Sequence, residues 1–166
     1  NGDAAARITE ATYTFLHDRV QQAAYGQIAD AHKPPVHLQV GRLLLAQWDR
    51  AGAPEQVFDI VGHLNFASEL ITDEAERLAL AQLNLTAGRR AKSSTAYQAA
   101  LTYFQVGIGL LTEAHWDCDY GLLFALHQEA AECDYLGGHF VEAEGAFDWL
   151  LGRAQTRLDK AKIYAL

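Results

Sequence analysis

Methionine is absent from all 166 residues, and position 1 is an asparagine. The chain is therefore expected to be part of a longer protein. Proline is confined to Pro34, Pro35 and Pro54. Beyond Pro54 nothing interrupts a helix by ring clash or a missing N–H. The two cysteines, Cys118 and Cys133, are too few for a disulfide framework. They fit a reducing compartment, so a cytoplasmic location is expected. No apolar run reaches the roughly 18 residues of a membrane span, and no charged-then-apolar leader opens the chain. Lysine and arginine are missing between Ser93 and Gly152, and the net charge is −8. That balance argues against a nucleic-acid clamp, which needs a basic stripe to neutralise phosphates.

The chemical motifs are missing too. There is no Gly-x-x-x-x-Gly-Lys-Ser/Thr phosphate loop, no His-Glu-x-x-His, no Cys-x-x-Cys and no Gly-x-Ser-x-Gly elbow. Gly107-Ile108-Gly109 has no third glycine and follows a helical pattern, so it reads as small residues at a helix contact. The seven histidines (His17, His32, His37, His63, His115, His127, His139) are scattered without ligand spacing. His17-Asp18 cannot act as an acid–base pair, because adjacent helical residues do not face each other. Asn84-Leu85-Thr86 is formally a glycosylation acceptor but falls mid-helix. Cys118 and Cys133 are expected to be packing thiols. The expectation is no enzyme, no cofactor and no metal.

What is present is helix. Alanine and leucine abound, and half the residues are apolar. Thr12 to Phe15 could form one short strand, followed by a helical stripe of Leu16, Val20, Ala23 and Ala24. Further helices carry Leu38, Leu44, Leu45 and Trp48, then Val57, Ile60, Val61 and Leu64. The next has Thr72 as its expected N-cap and runs to about Lys92, acidic first and basic last, as the macrodipole favours. Helices are expected at about 96–112, 118–137, 140–155 and 158–166, with short connections that favour antiparallel neighbours.

Two segments align without gaps at an offset of 43 residues. Tyr97 pairs with Phe140, Ala100 with Ala143, Phe104 with Phe147, Gly107 with Leu150 and Gly88 with Ala131. The alanine admits the preceding helix closely, and the aromatic residues around it grip that helix. Such a pair buries its apolar face by stacking on the next. Residues 138–147 and 95–104 resemble the turn and second helix of a tetratricopeptide repeat (TPR). The first helices depart from it. Asn84 and His127 stand where that repeat has a large apolar residue, and the period exceeds the usual 34. The fold expected is all-α: a TPR-like array of antiparallel helix pairs, about seven to eight helices.

A wider resemblance runs from about residue 12 to 166. Phe15 to Tyr25 resembles the segment closing the winged-helix part of bacterial STAND-type ATPases, which a helical arm follows. His37 to Leu44, Phe58 to Asn65, Leu83 to Lys92, Asp119-Tyr120 and Leu158 to Ala161 resemble that arm. The order of motifs is similar to that in long bacterial signalling proteins joining a serine/threonine kinase-like domain, an ATPase module and a sensor histidine kinase. The resemblance implies a division at 1–52, the winged-helix end and connecting helices, and 53–166, the TPR-like repeats. It implies a non-catalytic regulatory segment that couples the ATPase module to output domains. The alternatives are the matching arm of a STAND-type transcription regulator, or less readily a small helical enzyme.

The partners expected are neighbouring domains of the parent protein or a regulatory protein, with no nucleic acid or membrane. In stacked pairs the first helices line the concave face. Counting from Gly88 and Ala131, that face should carry Gln82, Arg89 and Lys92 in one unit and Gln128, Glu132 and Tyr135 in the next. The nine acidic residues from Glu113 to Asp148 form a solvated face or a dock for a basic partner. Tyr13, Phe15 and Leu16 could mediate a homodimer if the winged-helix body is missing.

Overall fold

A computed structural model describes residues 23, 25–50 and 53–165. The expected strand at Thr12–Phe15 and the proposed dimer residues Tyr13, Phe15 and Leu16 lie outside them. The chain divides into a small unit ending at Lys33 and a large one running from Pro34 to Leu166. Within the small unit, Lys33 pairs with Asp30 at 2.6 Å.

The described residues form eight α-helices and no strand. They are α1 Lys33–Gln47, α2 Gln56–Phe66, α3 Glu74–Ser93, α4 Tyr97–Gly109, α5 His115–Cys118, α6 Tyr120–Leu136, α7 Phe140–Arg153 and α8 Arg157–Tyr164. Short 3-10 turns precede α1 (Asp30–His32) and α3 (Ser68–Leu70). From α2 onward the long helices pack in chain order: α2 on α3, α3 on α4, α4 on α6 and α6 on α7. The first helices α3 and α6 also touch each other.

Local chemistry sets the helix ends. The expected cap at Thr72 is one residue early: Asp73 is the N-cap, its carboxylate accepting the Glu76 N–H at 2.8 Å. Arg90 and Lys92 close α3 as expected. Helix α4 ends at Gly109 rather than 112. The chain there turns into the short α5, where the Thr112 N–H donates to Nδ1 of buried His115 at 3.0 Å. At α8, Thr156 accepts the Asp159 N–H at 3.0 Å and donates to the Asp159 carboxylate at 2.6 Å. This reciprocal cap satisfies a donor that the helix itself leaves open.

The 43-residue offset recurs in the turns. Thr95 has φ 60° and Gly138 φ 86°, the two positive-φ residues among those described. Around Thr95, its N–H bonds Lys92 O and the Ala96 N–H bonds Ala91 O. Around Gly138, its N–H bonds Tyr135 O and the His139 N–H bonds Asp134 O. Both are Schellman closures, with the left-handed residue at the same repeat position. The α3–α4 and α6–α7 pairs are therefore joined by one turn design.

The paired small residues are buried as the spacing requires. Ala100 and Ala143 are 0% and 1% exposed. A Cβ on Gly88 would stand 2.3 Å from a Phe104 ring carbon, and one on Gly107 2.8 Å from Leu126. Helix–helix contact here is closer than any side chain permits. Gly109 faces open space, so only half of the Gly107–Gly109 reading applies. Cys133 lies in the core, and its thiol pKa is pushed up to about 11, chiefly by burial. Cys118, expected to pack, is exposed instead.

The core runs from Val57, Ile60 and Val61 through Leu80, Leu85 and Phe104 to Leu126 and Cys133. Leu38, Leu44 and Leu45 of α1, and Trp48 just past its end, pack on its edge. A smaller cluster of Phe124, Leu150 and Ile163 holds the C-terminal helices.

Candidate partner-binding surface

Four cross-helix pairs join the segments singled out in the sequence. His37 on α1 meets His63 on α2, Nδ1 to Nδ1, at 3.0 Å. Asn65 on α2 and Asn84 on α3 exchange two amide hydrogen bonds, 2.8 and 2.9 Å. Arg42 on α1 forks both oxygens of Glu76 on α3 at 2.7 Å each. The Tyr120 hydroxyl donates to buried Asp159 at 3.0 Å. Side chains read only as scattered motifs therefore meet across helices, linking α1, α2 and α3 to one another and α6 to α8.

The six expected surface residues differ in their immediate neighbours. Gln82 is exposed and lines a cavity of about 290 Å³ beside Trp48, Arg50 and Arg90. Arg89 and Lys92 reach across to α6. Arg89 Nε donates to Glu129 at 2.6 Å, and Lys92 Nζ lies 2.5 Å from Glu129 and 2.9 Å from Glu132. Arg89 is half exposed, whereas the Glu129 carboxylate is 13% exposed. Gln128 is half-buried on the same helix. Tyr135 stands at the far end, edge-on to Phe140 and beside Phe147, Ile163 and Tyr164, around a cavity of about 460 Å³.

Glu129 was missed. It lies three residues before Glu132, on the same helix face, and that spacing was the available signal. Its two cations come from the preceding first helix, 40 residues earlier for Arg89, a separation no local reading connects. Partial burial works against the Lys92 charge, and hydrogen bonds to Glu129 and Glu132 outweigh it. The ammonium pKa is raised. These four side chains form a clamp between α3 and α6, with Arg89 as its solvent edge.

His127 sits where an apolar residue was expected. It stacks on Trp116 at 5.6 Å between centroids and meets Trp149 at 4.5 Å, with Arg153 lying 3.8 Å over the Trp149 ring. Burial, aided by the Arg153 charge, lowers its pKa to about 4. A neutral imidazole serves there as an aromatic wall. Among the described residues no three His, Cys, Asp or Glu side chains gather as a metal site. No described helix is long and apolar enough to cross a membrane. Asn84 is fully buried within α3, so it cannot accept a glycan in the folded chain.

No family model matches the sequence, and no solved structure matches it. Among curated proteins the chain is similar to Hybrid signal transduction histidine kinase G of Dictyostelium discoideum. The two are 30% identical over 167 residues, covering 86% of this chain and 5% of that protein. The chain thus spans about a twentieth of the relative's length and is similar to one stretch of a signal-transduction histidine kinase.

Proposed function

We propose that this chain is a non-catalytic, protein-interaction segment of a multidomain signalling kinase. In this reading its α3–α4 and α6–α7 pairs are TPR-like units of a cytoplasmic arm that links an ATPase module to output domains. The supporting observation is the similarity over 86% of the chain to a short stretch of a hybrid histidine kinase. The repeated Schellman turn and the stacking order of the helices support the TPR-like part. The exposed apolar side chains Tyr135, Phe140 and Tyr164 support a contact with a neighbouring domain. They surround one cavity, rimmed by the carboxylates of Glu144 and Asp148.

The test is reconstitution in trans. The chain is mixed with the flanking segments of its parent, and binding is followed by calorimetry, with ATP turnover measured in parallel. Saturable binding to a flanking segment, abolished by Phe140→Asp with unchanged circular dichroism, is expected. ATP hydrolysis by the chain alone, or no binding to either flank, overturns the proposal.

A further inference from the structure

The cavity between the C-terminal end of α1 and the exposed face of α3 has the makings of a ligand site. Its walls are apolar: Leu45, Leu83 and the Trp48 ring. Trp48 is anchored by its own indole N–H, which donates to Ala53 O at 2.9 Å. Polar residues line the same space: Arg50, Arg90 and Gln82. At about 290 Å³ the cavity sits at the small end of ligand sites, which begin near ~300 Å³.

The charge is out of place for this protein. In a chain of net charge −8, two arginines face one cavity. Arg90 pairs with one carboxylate, Glu55, at 3.7 Å, and Glu55 is itself 79% exposed. The Arg90 Nε is shut off from solvent and has no acceptor among the described residues. Arg50 makes no ion pair among the described residues and lies 5.3 Å over the Trp48 ring.

We infer that this cavity binds an organic monoanion: a carboxylate carried on a short apolar or aromatic body. Arginine presents a planar fork that matches a carboxylate, and an apolar body replaces water against Trp48, Leu45 and Leu83. Two guanidinium groups less one nearby carboxylate leave a single positive charge, which suits a monoanion better than a phosphate dianion. The carboxylate can belong to a free organic acid or to a peptide, and the two sources share this chemistry.

The experiment follows the Trp48 indole N–H in nitrogen-15 NMR spectra of the whole chain. The probes are 4-phenylbutyrate, its neutral amide, inorganic phosphate and N-acetyl-Phe-Glu-amide. The butyrate is expected to shift the Trp48 signal saturably with a Kd below ~1 mM. The neutral amide and phosphate should bind at least tenfold more weakly. Arg50→Gln and Arg90→Gln should each weaken the butyrate about tenfold, whereas Arg89→Gln, clamped to Glu129, should leave it unchanged. Tighter binding of the dipeptide assigns the carboxylate to a protein partner, and tighter binding of the butyrate assigns it to a free acid. Equal binding of acid and amide, wild-type affinity in Arg90→Gln, or no saturable shift with any probe overturns the inference.

Discussion

Asn84 and Asn65 hold each other by two amide hydrogen bonds, one in each direction, and Asn84 also donates to Leu80 O at 3.0 Å. Asn84 is fully buried on α3, and its partner on α2 is half-buried. The pair fixes the register of two helices where a purely apolar contact would tolerate sliding. A buried amide stays only when its donors and acceptors are met, and here both oxygens and both nitrogens are used. Asn84→Ala is expected to destabilise the chain by about 2–3 kcal/mol, because it removes both partners of the Asn65 amide and opens a void. Asn84→Leu with Asn65→Leu should cost less than Asn84→Ala alone. Urea denaturation checks both, and a double variant worse than the single would show that the amide pair is not the source of the loss.

The Schellman turns offer a comparison inside one molecule. Thr95 and Gly138 hold the same position, yet a β-branched residue at φ 60° is strained where glycine is not. Thr95→Gly should raise stability by about 1 kcal/mol, and Gly138→Thr should lower it by about as much. A melting temperature that falls in Thr95→Gly would mean that the threonine side chain compensates its own strain.

Glycines within helices separate the same way. Gly88 has the Phe104 ring against it, while Gly62 on α2 faces open space. Gly88→Ala should cost about 1–3 kcal/mol by overpacking. Gly62→Ala should gain about 0.5–1 kcal/mol through helix propensity alone. Thermal denaturation of the two variants decides it, and equal effects would contradict the close approach of α3 and α4.

These residues also show what the sequence could and could not carry. The helices and the burial of Ala100 and Ala143 follow from local spacing and composition. The 43-residue offset extended that reading to a repeated pair. Asn84 was visible as a departure but not as half of a pair, because Asn65 stands on another helix and no rule of periodicity joins them. The partners of the expected surface residues were hidden for a similar reason. Arg89 and Lys92 point outward by helical count, and only the fold shows Glu129 and Glu132 beneath them. The cavity at Trp48 was illegible because α1 and α3 are separated by α2, and its residues are individually ordinary.

The α3–α6 clamp changes how that face can be probed. Reversing charge at Arg89 and Lys92 would set new carboxylates against Glu129 and Glu132, so lost binding would follow from a loosened fold. Glu129→Gln is the cleaner variant. It should cost about 1 kcal/mol or somewhat more, since the carboxylate is mostly buried between two cations. The penalty should shrink only slightly in 1 M salt, because the pair is partly shielded. A penalty that vanishes in salt would place the clamp in solvent.

The pH dependence of folding should carry the mark of His127. Its pKa falls from 6.5 to about 4 in the folded chain, first because the ring is buried among Trp116 and Trp149, then because Arg153 lies nearby. Between those values the unfolded chain binds a proton that the folded chain refuses. The stability tied to His127 is thus fully present above about pH 6.5 and is lost as pH falls toward 4. The undiminished shift would be worth about 3 kcal/mol, and partial solvent access reduces it to roughly 2 kcal/mol. His37, whose pKa is lowered by burial and by His63, adds a smaller loss of the same sign. The carboxyl of Asp159 is held below the usual carboxylate range by the Thr156 and Tyr120 hydroxyls against partial desolvation, so its contribution is lost only at more acid pH. Replacing His127 with Phe keeps an aromatic ring between the tryptophans and removes the proton. Urea denaturation at pH 7.0, 5.5 and 4.5 should show the parent chain weakening steadily and His127→Phe weakening much less. If the two lose stability in parallel, the imidazole is not held neutral by its surroundings, and the acid sensitivity belongs to other groups.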